Sequence, residues 1–102
     1  MPAAISPDAR IRLKPEQTSC PVDGEVVILN LANSSYYGLE AVGAEVWRLI
    51  QEPRTFAEIE ASLMETYEVD TPQLRRDLQN LLHRLAEEGL IAIEAPAGEA
   101  NS

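Results

Sequence analysis

One cysteine, one histidine and five aromatic rings are all that these 102 residues contain. A lone Cys20 closes no internal disulfide and builds no cysteine-rich metal site. A lone His83 leaves no cluster with metal-ligand spacing and no partner for a nucleophile. Gly38 and Gly43 match neither the G-x-G-x-x-G nor the Walker pattern, so no phosphate-cradling loop is expected. No apolar run approaches the ~20 residues that cross a bilayer. The opening MPAAISPDAR lacks the basic start and apolar stretch of a secretory signal. These absences exclude the common catalytic constellations, and the reading is a non-enzyme with no metal, no cofactor and no membrane contact. A cytoplasmic address follows by default.

Positive charge is also scarce. Eight basic residues face seventeen acidic ones, for a formal charge of -9. Nucleic-acid binding draws on a basic surface that neutralises phosphates, and the groups Arg10, Arg12, Lys14 and Arg75, Arg76, Arg84 do not dominate this field. A protein, a peptide or a basic segment suits such a chain better than nucleic acid.

What is present is a switch of hydrophobic period near residue 40. Arg10-Ile11-Arg12-Leu13-Lys14 alternates charged and apolar residues, as a half-buried strand does. Asp23-Gly24 is a hairpin signal, and Glu25 to Leu31 is an apolar, β-branched second strand. Asn33-Ser34 turns the chain, with Asn33 expected to take the left-handed conformation, into a third strand, Ser35 to Leu39. Helical spacing follows: Val42, Val46, Leu49 and Ile50 form one face, Trp47 is a plug between sheet and helices, and Pro53 closes the helix. Thr55-Phe56-Ala57-Glu58 has the form of a capping box and opens a second helix with the face Phe56, Ile59, Leu63 and Tyr67. Thr71-Pro72 reads as a cap followed by proline at the first helical position. Leu74, Leu78, Leu81, Leu82 and Leu85 then share one arc, and Gly89 ends the third helix. Leu90 to Ile93 is either a short closing strand or an extended tail.

The expected fold is therefore α+β: a winged helix-turn-helix in which a three-stranded antiparallel sheet is followed by three helices. Residues 1–8 are expected to form a flexible tail, 9–94 the single domain, and 95–102 a disordered tail.

Leu29-Asn30-Leu31, Tyr36-Tyr37-Gly38-Leu39 and Val42-Gly43-Ala44-Glu45-Val46-Trp47 resemble, in order and spacing, the PqqD-like family. Arg54-Thr55, Tyr67-Glu68-Val69-Asp70, Asp77-Leu78 and Leu85 through Gly89-Leu90-Ile91 continue the match. Glu40 stands where the family usually has asparagine, and Asn33-Ser34-Ser35 where its turn usually has glycine. The family comprises leader-recognition domains for ribosomally made, modified peptides. The resemblance implies that a precursor's leader adds as an antiparallel strand to Ser35–Leu39 and packs in a cleft against the third helix. It also implies a recipient: a leader peptidase in lasso-peptide biosynthesis, the favoured setting, or a radical SAM enzyme in pyrroloquinoline quinone biosynthesis.

The candidate binding residues are Ser35, Tyr36, Tyr37, Gly38 and Leu39 on the strand, with Leu74, Asp77, Leu78, Leu81 and Arg84 on the helix. Main-chain bonds along the strand supply affinity, and side-chain pockets supply selectivity. Leu78 and Leu85 are expected to serve the core first, with Leu74 and Leu81 nearer the edge. Tyr36 and Tyr37 point to opposite sheet faces. An open strand edge also pairs with itself, so a monomer or a weak dimer is expected. A different class, a winged-helix transcription regulator reading DNA through Arg75, Arg76 and Arg84, is opposed by the net charge.

Overall fold

A computed structural model describes residues 5–94, and the predicted tail over 95–102 lies outside them. Six strands and three helices follow in the order β1 (Arg10–Leu13), β2 (Gln17–Val22), β3 (Glu25–Asn30), β4 (Ser35–Leu39), α1 (Val42–Leu49), β5 (Arg54–Thr55), α2 (Phe56–Thr66), α3 (Thr71–Glu87) and β6 (Ile91–Glu94). The fold is α+β, but the strands form two antiparallel sheets of three, ordered β5-β1-β6 and β2-β3-β4.

This pairing corrects the single sheet expected from the sequence. The alternating strand β1 does not pair with β3. It sits between β5 and β6, with Ile11 opposite both Arg54 and Ile93. Leu90–Ile93 thus supplies a closing strand, starting at Ile91. The neighbour of β3 is instead β2, in the register Ser19 opposite Ile28 and Pro21 opposite Val26. Its sequence, QTSCPV, is mostly exposed and has no apolar alternation, so no hydrophobic period announced it. The N-terminal segment is anchored from Ile5 onward rather than loose. Ile5 is buried in the core, and the Pro7 carbonyl accepts a bond from the Ala57 amide at 3.0 Å.

The helices follow the local rules closely. The Thr55 hydroxyl accepts from the Glu58 amide at 3.1 Å, while the Glu58 carboxylate accepts from the Thr55 amide at 2.8 Å. That reciprocal capping box holds the Glu58 carboxyl below its ordinary pKa, chiefly through the Thr55 backbone bond. The cap of α3 is Asp70, one residue earlier than expected, whose carboxylate accepts from the Gln73 amide at 3.3 Å. Thr71 is thereby the first helical residue and Pro72 the second, where a missing N–H costs nothing. At the far end Gly89 has φ +76, and the amides of Gly89 and Leu90 bond to the carbonyls of Ala86 and Leu85, each at 3.0 Å. This is a Schellman closure, and it turns the chain directly into β6.

Two turns differ from expectation. Ser34, not Asn33, carries the positive φ, at 59°. Asn33 instead accepts the Ser35 amide on its side-chain oxygen at 3.0 Å, an Asx turn that sets up its neighbour. Ala41, the residue before α1, has φ 50 and ψ -121 and makes no side-chain cap. That conformation suits glycine, so Ala41 stores backbone strain where β4 turns into α1.

One core joins both sheets and all three helices, with Ile11, Ile28, Trp47, Ile59, Leu82 and Ile91 among its buried members. Trp47 is the expected plug: only 2 % exposed, with its indole N–H donating to the Ser19 hydroxyl at 3.0 Å. Asn30 is the buried polar side chain within this core, and it makes two bonds. Its amide nitrogen donates to the Glu88 carbonyl at 2.7 Å, and its oxygen accepts the Ala32 amide at 2.9 Å.

Asn30→Ala strands both partners and is expected to lower the unfolding free energy by about 1–3 kcal/mol in urea titrations followed by Trp47 fluorescence. Ala41→Gly is expected to raise it by up to about 1 kcal/mol, because relief of strain exceeds the added freedom of the unfolded chain. A loss of stability in Ala41→Gly would contradict the strain assigned there.

Candidate functional site

Three features of the sequence converge where β4 faces the last two turns of α3. Among the described residues strand β4 pairs only with β3, which leaves its other edge open. Its residues alternate in burial, with Ser35, Tyr37 and Leu39 half-buried and Tyr36 and Gly38 exposed. Tyr37 and Leu39 pack on the core, while Tyr36 is 71 % exposed. The two tyrosines thus occupy opposite faces, as strand geometry requires. A cleft of about 260 Å3 lies beside this edge, lined by Tyr36, Tyr37, Gly38 and Leu39 from the strand and Leu81, Arg84, Leu85 and Glu88 from the helix side.

The second sheet edge differs in kind. Strand β2 carries Pro21, which lacks a backbone donor and blunts an edge against pairing. Strand β4 has neither proline nor charge. A Cβ on Gly38 would meet nothing within 4 Å, so packing within the chain does not call for glycine there.

Among the helix residues singled out from sequence, Leu81 and Arg84 line the cleft. Leu74 and Leu78 do not. At 4 % and 1 % exposed they belong to the core, and for Leu74 this corrects the expected edge position. The reason is that α2 packs against the start of α3, where Glu60 pairs with Arg75 and the Thr71 hydroxyl reaches Met64, and takes up the leucine arc there. Asp77 is exposed, one turn before Leu81 on the same row, and its carboxylate accepts from the Gln73 side-chain amide at 3.1 and 3.2 Å. It does not line the cleft. His83 is half-buried on α3, and Cys20 is a free, exposed thiol on β2.

Leu85 and Glu88 line the cleft but were not among the sequence candidates for binding, and Asn30, behind Glu88, was not either. Glu88 closes its end: the Tyr37 hydroxyl donates to the Glu88 carboxylate, and the Glu88 carbonyl is the acceptor for Asn30. The hydrogen bond to Glu88, more than burial, raises the Tyr37 pKa above its ordinary value. The signal for Asn30 was visible as a polar residue inside the apolar run VVILNL, at a register that faces the core. Glu88 carried no such signal, since it reads as one more carboxylate at a helix end.

The basic residues of α3 do not form one surface. Arg75 and Arg84 are nine positions apart, which places them on opposite sides of the helix. Arg75 is tied to Glu60 on α2 at 2.8 Å. A recognition helix presenting Arg75, Arg76 and Arg84 together to DNA is therefore not available in this geometry.

Residues 25–91 match the family model described as coenzyme PQQ synthesis protein D. The chain belongs to the PqqD family. The solved structure of TbiB1 in complex with the TbiA(beta) leader peptide is 36 % identical to this chain, with a TM-score of 0.74 over 84 % of it and 98 % of the other chain. A lasso peptide synthetase B1, also complexed with a leader peptide, is 26 % identical, with a TM-score of 0.72 over 80 % of this chain and 96 % of the other. No curated protein matches the sequence. The PqqD match spans β3, β4 and all of α3, and so includes both walls of the cleft.

The Tyr37 phenol is expected to titrate above the ordinary tyrosine value in an alkaline absorbance or NMR titration. Its raised pKa means that the fold holds the protonated phenol. That stabilisation is present below the unfolded-state pKa of about 10 and is lost as pH rises through the folded value. Glu88→Gln should move this step downward and Tyr37→Phe should delete it. An unchanged Tyr37 step in Glu88→Gln would remove the hydrogen bond from the account.

Proposed function

We propose that this chain is a non-catalytic peptide chaperone, a recognition element that binds the leader of a ribosomal precursor by strand addition along Ser35–Leu39. The observation that carries the reading is the uncharged, proline-free edge of β4 beside a cleft walled by α3. An added strand satisfies the open donors and acceptors of β4, and alternate side chains drop into the cleft. The TbiB1 and lasso peptide synthetase B1 complexes, both with leader peptides, support this occupant.

Lasso-peptide biosynthesis is the setting we favour, with the bound precursor handed to a leader peptidase. Work beside a radical SAM enzyme in pyrroloquinoline quinone biosynthesis is the second reading, and the family description favours it. In either setting the domain acts as a monomer or weak dimer in the cytoplasm. We read α2, α3 and β6 as a winged helix-turn-helix whose helix serves as a groove wall rather than a DNA reader. Among the described residues no helix is long and apolar enough to cross a membrane.

Titration of isotope-labelled protein with the leader encoded beside its gene, and with the TbiA(beta) leader, should shift amides at residues 35–39 and around Leu81, Arg84 and Glu88. Shifts confined to α2 or β2 would overturn the groove. Duplex DNA added in parallel should leave these amides unmoved. Duplex binding that weakens steeply with salt, without peptide binding, would favour a regulator instead.

A further inference from the structure

The cleft carries an unmatched charge. Arg12, Arg48 and Arg75 are each ion-paired, to Glu94, Glu45 and Glu60 respectively. Arg84 lines the cleft, yet among the described residues no carboxylate pairs with its guanidinium. Helical spacing would offer Glu88, one turn further on. That carboxylate is instead bound by the Tyr37 hydroxyl. Arg10, Arg54 and Arg76 also have no carboxylate partner among the described residues, so what sets Arg84 apart is its place on the cleft wall, a positive charge against the net -9 of the chain.

A peptide that covers Arg84 removes water from it. Covering an unpaired charge is costly unless the ligand brings a counter-charge, and a carboxylate meets guanidinium bidentately. Direction and spacing follow from the walls. The Ser35 end of β4 lies at the C-terminal end of α3, because Asn30 is opposite Ser35 and bonds to Glu88. β4 thus runs against α3, and a strand antiparallel to β4 runs with it, from Leu81 toward Glu88. Along the helix axis Arg84 lies about 4.5 Å beyond Leu81 and Glu88 about 10.5 Å beyond it, at ~1.5 Å per residue. Same-face residues of a strand are spaced about 6.6 Å. The side chain two residues after one resting on Leu81 therefore meets Arg84, and the one four residues after it approaches Glu88.

We infer that the leader strand carries an acidic residue two positions after the apolar side chain that packs on Leu81, selected by Arg84, and that Glu88 excludes an acidic residue two positions further on. This rests on the strand-addition reading and adds to it a charge order for the ligand.

Display of short random peptides against wild-type protein, Arg84→Glu and Glu88→Gln tests both. Binders of the wild type that shift the amides of 35–39 should carry Asp or Glu two residues after a large apolar residue. Changing that acid to its amide should weaken binding about tenfold, as loss of a charge-assisted pair does. Arg84→Glu should enrich Lys or Arg at the same position while keeping the apolar residue, and Glu88→Gln should admit an acid at the later one. Circular dichroism verifies that both exposed substitutions leave the fold intact. If wild type and Arg84→Glu select the same peptides without an acidic preference, the charge order falls and the groove stands. If no selected peptide perturbs 35–39, the groove reading falls and the charge order with it.

Discussion

The bond from the Asn30 side chain to the Glu88 carbonyl joins the two halves of the molecule on which the cleft depends. A helix leaves its last carbonyls without partners inside the helix. Gly89 and Leu90 close two of them in α3, and Asn30 closes that of Glu88 from strand β3. The helix end is thereby pinned to the hairpin that carries β4, and the spacing between strand edge and helix wall is set. The same Glu88 places a carboxylate where the helix dipole disfavours negative charge, and the Tyr37 hydroxyl offsets this by donating to it. Asn30 faces Ser35 across the hairpin, so the clasp lies at one end of the cleft and leaves the rest of β4 unobstructed.

The two edges of the β2-β3-β4 sheet show how a small protein keeps one edge available. Strand β2 completes β3 and carries Pro21, whereas β4 keeps its donors and acceptors beside an apolar and charged wall. Tyr37, Leu39, Leu81 and Leu85 serve the core as well as the cleft, whereas Tyr36 and Arg84 are not part of that core. Tyr36 and Arg84 are thus cleft residues on which the core does not draw.

The helices, the capping box, the Gly89 terminus and the β3–β4 hairpin were all legible from residues alone. So was the placement of Leu81 and Arg84 on the helix side that faces β4. Strand β2 was not legible, because QTSCPV exists as a strand only through its pairing with β3. The shift of the α3 cap to Asp70 is a one-residue difference between two good capping side chains. Leu74 and Leu81 look alike on a helical wheel, yet one is buried and the other lines the cleft, since α2 ends alongside only part of α3.

The division follows the range of the forces. Period, caps and turn residues act over three or four positions, so the sequence by itself determined the three helices, their ends and an α+β class of low positive charge without metal-ligand spacing. Strand partnership acts between segments distant in the chain, and every strand offers the same backbone to any partner. Tertiary structure therefore decided that β1 joins β5 and β6, that β2 guards one edge of the other sheet, and that Glu88 turns to Tyr37 and leaves Arg84 facing the cleft alone.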